Sequence, residues 1–388
     1  MKHIILLFCI ITISLIVSCS RAEQAQLSEE IQFEEECVQN IHTWIDADCY
    51  SPQTCAECGE IEENTESHEW IEPNFFDPKT CSLCGKTDGY PLELPDYIMI
   101  GDERIDTSLT ELKLREPITD EDVEQLRYMI NLTKLDLSRN KNIDLTPIAG
   151  LTNLSELTLD FCEIGDITPL AGLINLTCLH LDFNLINDIS TISYLGNLEI
   201  LYLRSNNITD ISPLESLTNL RVLSIGENQI VNIESLSNLK GLSVLHLYDN
   251  QITDITPLRK LTNLETLHLC RNYITDISPL ENLTSLRVLF MPNNQIKNIE
   301  SLSNLKRISL LYLSNNQITD ITPLTNIEGS EISFYLQNNQ ITDVSPLVSL
   351  TGLYTLCMLG NPIENASLLE SIEGLLPCIG DYCYCVGS

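Results

Sequence analysis

The sequence predicts an α/β solenoid, a stack of short coils sharing one parallel sheet, with a small cysteine-rich module ahead of it. Three observations predict it. "LYLRSNNITDISPLESLTNL" (201–220) returns as "LHLYDNQITDITPLRKLTNL" (245–264) and "LHLCRNYITDISPLENLTSL" (267–286), a period of 22 residues. Each repeat carries an L-x-L triplet, the alternation of a strand that buries one side. An asparagine follows the triplet at 140, 184, 206, 228, 250, 272, 294, 316, 339 and 361, with Cys162 in the one missing place, which makes eleven repeats.

The chain opens "MKHIILLFCIITISLIVSCSRAEQ". A short basic start and an apolar run from Ile4 to Val17 read as a signal peptide over residues 1–18, too short to span a bilayer comfortably. The run ends in "IVSC", which resembles a bacterial lipobox. That resemblance implies cleavage before Cys19 and lipid on its thiol, anchoring the chain to a membrane; a plain secretory signal is the alternative. Residues 19–36 form an acidic tether: Ala22 to Glu36 holds six glutamates and no Lys or Arg.

Residues 37–89 contain one unit twice, "HTWIDADCYSPQTCAECGE" (42–60) and "HEWIEPNFFDPKTCSLCGK" (68–86). The copies lie 26 residues apart and hold the chain's two tryptophans, Trp44 and Trp70, at matching places. A C-x-x-C-G turn can present two thiolates to one tetrahedral ion. The first copy offers His42, Cys49, Cys55 and Cys58. The second offers His68, Cys81 and Cys84, with Phe75 where Cys49 would fall and Cys37 as an outside fourth donor. The unit resembles zinc-ribbon-type modules. Structural zinc and, in an exported protein, disulfides both stay open.

Residues 90–130 read as a flanking cap: a hairpin in "YIMIGDERID", then a helix in "ITDEDVEQLRYM" capped from Thr119 and Asp122. The repeats occupy residues 131–363. Their leucines point inward, the asparagine amides bond neighbouring turns as a buried ladder, and Ser212-Pro213 and its equivalents start short 3-10 or helical convex segments with the serine as cap. No coil buries its leucines alone, so stability is shared between neighbours. The 23 residues from Asn316 to Asn339 predict a bulge near Gly329. Residues 364–388 hold a terminal helix in "NASLLESIEGLLP" and a tail with Cys378, Cys383 and Cys385.

The middle residue of each L-x-L points out of the core on the concave sheet. That column runs Asp136, Thr158, His180, Tyr202, Ser224, His246, His268, Phe290, Tyr312, Tyr335 and Cys357. The next outward column adds Asp160, Asp182, Arg204, Tyr248 and Cys270. Exposed aromatic patches mark binding surfaces, so the candidate partner-binding residues are His180, Tyr202, Arg204, His246, Tyr248, His268, Phe290, Tyr312 and Tyr335. His246 and His268 sit one rung apart and are expected to titrate together at mildly acidic pH, with Cys270 facing out beside them as a candidate third metal ligand.

The pattern L-x-x-L-x-L-x-x-N-x-I with its D-I-[ST]-P-L second half resembles the leucine-rich repeat in its internalin-like form. The resemblance implies a horseshoe and a non-enzymatic recognition protein on the bacterial surface, binding a protein or glycan on its concave face. Lys+Arg is 21 against Asp+Glu 55, a net charge of −34, so nucleic acid is excluded as a partner. A structural spacer is one alternative. An enzyme using the concave His/Tyr/Cys cluster is the other, but the chain has no G-x-S-x-G, H-E-x-x-H or phosphate-cradling glycine loop.

Overall fold

The structure is a computed structural model that describes residues 94–115, 117–372 and 375–377, and the backbone of six short strands between Trp44 and Asp88. It divides into two compact units, Met1–Leu94 and Pro95–Ser388.

In the first unit the sequence duplication is also a duplication of backbone. Trp44–Ile45, Gln53–Cys55 and Ile61–Glu62 form one antiparallel sheet, and Trp70–Ile71, Lys79–Cys81 and Thr87–Asp88 form another. Trp44 pairs with Cys55 in one and Trp70 with Cys81 in the other. Cys55 and Cys81 therefore end matching strands. The candidate ligands His42, Cys49, Cys58, His68 and Cys84 lie outside the described residues, as do Cys37, the signal peptide, Cys19 and the tether.

The second unit is a solenoid carrying a sheet of thirteen parallel strands, from Glu111–Lys113 to Leu376–Pro377. Eleven of these belong to the repeats; the flanking segments add one at each end. Neighbouring strands pair in 22-residue register, as in Leu245↔Leu267 and His246↔His268. The first leucine of the L-x-L, such as Leu201, Leu245 or Leu267, is fully buried. At the front, Tyr97–Ile100 and Glu103–Asp106 form the expected hairpin. The helix Asp120–Gln125 follows with a capping box: Thr119 Oγ1 accepts from the Asp122 N–H while Asp122 accepts from the Thr119 N–H. The second carboxylate oxygen of Asp122 accepts the Gly101 N–H at 2.7 Å, tying helix to hairpin.

The asparagine ladder is present as expected. Asn272 Nδ2 donates to the carbonyls of Leu247, Leu269 and Cys270 at 3.0–3.2 Å, and its Oδ1 accepts the Ile252 N–H at 2.9 Å. The residue before each ladder asparagine takes a left-handed backbone, for example Ser205 (φ 51°) and Asp249 (φ 51°).

Two local expectations change and a third is met. Ser212 is the first residue of the 3-10 segment Ser212–Ser216 rather than its cap; the cap acceptor is Asp210, whose Oδ1 takes the Ser212 N–H at 2.8 Å. Asparagine does the same work at Asn232 and Asn298. The terminal helix is a 3-10 segment, Ala366–Ser371. The bulge lies at Ile332/Ser333, just past Gly329, where Ile332 pairs with Leu353 but Ser333 with Thr355. Gly352 (φ +90°) is required beside it, because a Cβ there would strike the Gly329 carbonyl oxygen.

Candidate recognition face

On the outward side of the sheet the strands bring the predicted side chains into one column. His246, His268, Phe290, Tyr312 and Tyr335 form a continuous five-ring column with centroid separations of 4.3, 4.2, 4.3 and 3.9 Å in order; His268 and Phe290 meet tilted at 56° and the other pairs stack. Phe290–Tyr312 and Tyr312–Tyr335 are nearly parallel, at 12° and 2°. His180 and Tyr202 stack separately at 4.5 Å. Ser224, buried between Tyr202 and His246, divides the two groups.

This packing corrects several expectations. Tyr248 and Cys270 are 4% and 2% exposed, so neither presents a surface to a partner. Tyr248 lies over Gly226, where a Cβ would stand 2.7 Å from Tyr248 Cζ. Tyr312 is also buried, and the other rings of the stack are half-buried. The histidines do not titrate together at mildly acidic pH: burial, then the neighbouring His246, push His268 down to about 3, while burial lowers His246 as well. Their rings stack at 19°, so their in-plane lone pairs run side by side instead of converging on an ion. Among the described residues no three His, Cys, Asp or Glu side chains are placed to share a metal.

Arg204 is engaged within the face. Its guanidinium donates to Glu227 at 2.6 and 2.9 Å, and lies 4.8 Å from the Phe183 ring and 5.6 Å from the Tyr248 ring. Asp160 and Asp182 link successive rungs: Asp160 Oδ1 accepts the Asp182 N–H at 2.8 Å, and Asp182 Oδ1 accepts the Arg204 N–H at 2.7 Å. Burial, then the Asp160 carboxylate, push Asp182 up to about 7.

Two features escaped the sequence reading. The residue before each L-x-L leucine also points outward, so Ile200, Val222, Val244, Val288 and Leu310 form a half-exposed, mainly apolar column beside the rings, broken by Thr266 between Val244 and Val288. Strand parity was the signal that could have found it. Phe161 and Phe183 occupy the left-handed position before the ladder (φ 60° and 56°) and stack on each other at 4.2 Å. A bulky side chain in that backbone region costs about 1–3 kcal/mol.

With the geometry described, comparison with known proteins gives its relatives. The family model for leucine-rich repeats (two copies) matches residues 196–239, 240–282 and 284–326. An internalin, InlF, from Listeria monocytogenes is similar at 32% identity over 71% of this chain and 89% of its own, with a TM-score of 0.66. A leucine-rich repeat protein from Leptospira interrogans has 21% identity over 70% of this chain and 84% of its own, TM-score 0.51. The plant peptide hormone receptor RGFR1, in complex with RGF2, has 20% identity over 69% of this chain and 55% of its own, TM-score 0.55. The last two share the fold alone. No curated protein matches the chain in sequence.

Proposed function

The chain belongs to the internalin family of leucine-rich repeat proteins, and from that premise we propose that it is a non-enzymatic recognition protein of the bacterial cell surface that binds a protein partner on its sheet face. The observation that carries this reading is the five-ring stack beside the column from Ile200 to Leu310. Stacked rings spend their faces on one another and turn their edges outward. A sugar ring packs on an open aromatic face, whereas a polypeptide surface packs on edges and branched aliphatics. A protein therefore fits better than a glycan. The rigid, prestacked column also loses little entropy on binding.

The same reading includes the routes to the surface. Export through residues 1–18 and lipid on Cys19 are proposed from the sequence, and Cys357, which is disulfide-bonded, suits an oxidising compartment. Zinc in residues 37–89 is proposed from the two C-x-x-C sequences, whose first cysteines, Cys55 and Cys81, end matching strands. Metal analysis of the purified chain should find zinc; six oxidised cysteines in that module would replace zinc with disulfides.

The test is capture of surface proteins from neighbouring or host cells by the purified chain. Phe290→Ala with Tyr335→Ala should weaken a protease-sensitive interaction by roughly 2 kcal/mol, while Val231→Asp, on an exposed site away from the sheet face, should leave it intact. Loss in the Val231 variant with retention in the double variant would place the partner elsewhere.

A further inference from the structure

Four described cysteines stand in the solenoid, and three are closed to solution: Cys162, Cys270 and the disulfide-bonded Cys357. Cys178 is half-exposed on the outward side of its strand, two residues from His180. Its Sγ lies 3.3 Å from His180 Nε2. The opposite ring nitrogen, Nδ1, lies 4.0 Å from Asp160 Oδ2 on the neighbouring strand. Tyr202 stacks on the imidazole at 25° and holds its plane. Carboxylate, imidazole and thiol thus stand in sequence, each facing the next, an arrangement that can move a thiol proton.

We propose that Cys178 is a covalent attachment site, which takes up a thiol group by exchange with a low-molecular-weight disulfide while His180 accepts its proton. As Sγ attacks one sulfur of RS–SR, the S–H proton passes to His180 Nε2. One S–S bond forms and one breaks. The departing RS⁻ takes the proton back from the imidazolium and leaves as RSH. The incoming disulfide is the whole oxidising equivalent consumed.

The charges around the thiol decide how it behaves. Burial, then Glu156 and Asp160, push it up to about 11, opposed by Lys134; Tyr202 is in turn raised by burial, then by Cys178 and Asp182. Unassisted, such a thiol holds little thiolate at neutral pH, so a base is needed to make it react. Once joined, a thiol of high pKa is a poor leaving group, and later exchange displaces R more readily than the protein sulfur. The site is slow without its histidine and retentive with it.

The experiment incubates the full chain with oxidised glutathione across a pH series and follows the Cys178 peptide by mass spectrometry. The expected result is a mixed disulfide at Cys178 that forms at neutral pH, well below the thiol's own ionisation. His180→Gln should slow it roughly 10-fold or more at neutral pH and leave only the alkaline reaction of the thiolate. Asp160→Asn should fall between. No adduct at Cys178, or an unchanged rate in His180→Gln, overturns the proposal. The native chain supplies a readout free of any folding defect: a single alkaline step in its own pH profile also overturns it.

Discussion

Replacing Asn272 tests the ladder on which the solenoid rests. Its Nδ2 reaches the carbonyls of Leu247, Leu269 and Cys270, but each of these keeps another donor: Asn250 Nδ2 at 3.2 Å, Asn294 Nδ2 at 2.9 Å and the Asp249 N–H at 2.9 Å. The group that loses its bonding partner is the Ile252 N–H, held by Asn272 Oδ1 at 2.9 Å. One orphaned buried amide costs about 1–3 kcal/mol, and the weakened carbonyl bonds with a small void add about 1. Asn272→Ala should therefore lose about 2–4 kcal/mol in urea unfolding, and the Ile252 amide should exchange with solvent faster. Asn272→Cys is the internal control. At Cys162 the thiol donates to the Leu137 and Asp160 carbonyls at 3.3 and 3.4 Å, while the Asn142 N–H, which a ladder oxygen would accept, bonds the Cys162 backbone carbonyl at 2.8 Å instead. Position 272 has no such substitute acceptor, so Cys should recover the carbonyl share alone and fall between Asn and Ala. A loss under about 0.5 kcal/mol for Ala, or a Cys variant as unstable as Ala, would refute this account of the ladder.

Three further outcomes follow from the sheet face. Asp182 is pushed up to about 7 from 3.8, so between those values the folded chain holds a proton that the unfolded chain has released, and stability falls as pH rises through that window. Asp182→Asn, whose Oδ1 can still accept the Arg204 N–H, should flatten that slope and gain about 2 kcal/mol above pH 7.5; an unchanged slope in paired urea titrations would count against it. His268 should stay neutral when folded, with ring-proton shifts flat from about pH 5 to 8, while the unfolded chain takes up protons below about 6.5, so stability drops with acid; His246, also lowered by burial, shares the direction. A titration step for the His268 ring in that range would contradict the burial argument. Gly226→Ala should drive Tyr248 off the face, because the added Cβ would stand 2.7 Å from its ring; nitration of Tyr248 by tetranitromethane should rise from near zero, and continued protection would mean the ring has another way to yield.

The frame of this protein was legible because it is written many times. Period fixed the coil, L-x-L parity fixed which side chains enter the core, and asparagine spacing fixed the ladder that the hydrogen bonds display. What one repeat says badly, ten others say again. Features that period and parity do not decide were read less well. The cap of each 3-10 segment was assigned to the serine before proline, although Asp210 two residues earlier holds the amide; both residue types cap, and a sequence does not show which carbonyl or carboxylate reaches. The role of Cys162 required the Asn142 bond, which depends on a left-handed turn at Asn142 (φ 55°) that no motif announces.

The sheet face was located correctly and its exposure misjudged, for a reason that lies in the lattice of the sheet itself. Parity shows which side chains leave the core; it is silent on what they meet outside it. Neighbouring strands lie about 5 Å apart, close to the 3.9–4.3 Å at which these rings stack, so aromatic residues on successive rungs close upon one another. His268, between His246 and Phe290, loses water to both neighbours, which favours its neutral form, and Tyr312, between Phe290 and Tyr335, is buried without entering the core. An aromatic column of this kind buries itself. It offers a partner a narrow rank of ring edges instead of broad faces, and the accessible apolar area moves sideways to the column from Ile200 to Leu310, which the leucine pattern left in plain view and which aromatic residues drew attention away from. The face proposed for a partner is then two columns wide, rigid in one and aliphatic in the other, a pairing that suits a polypeptide.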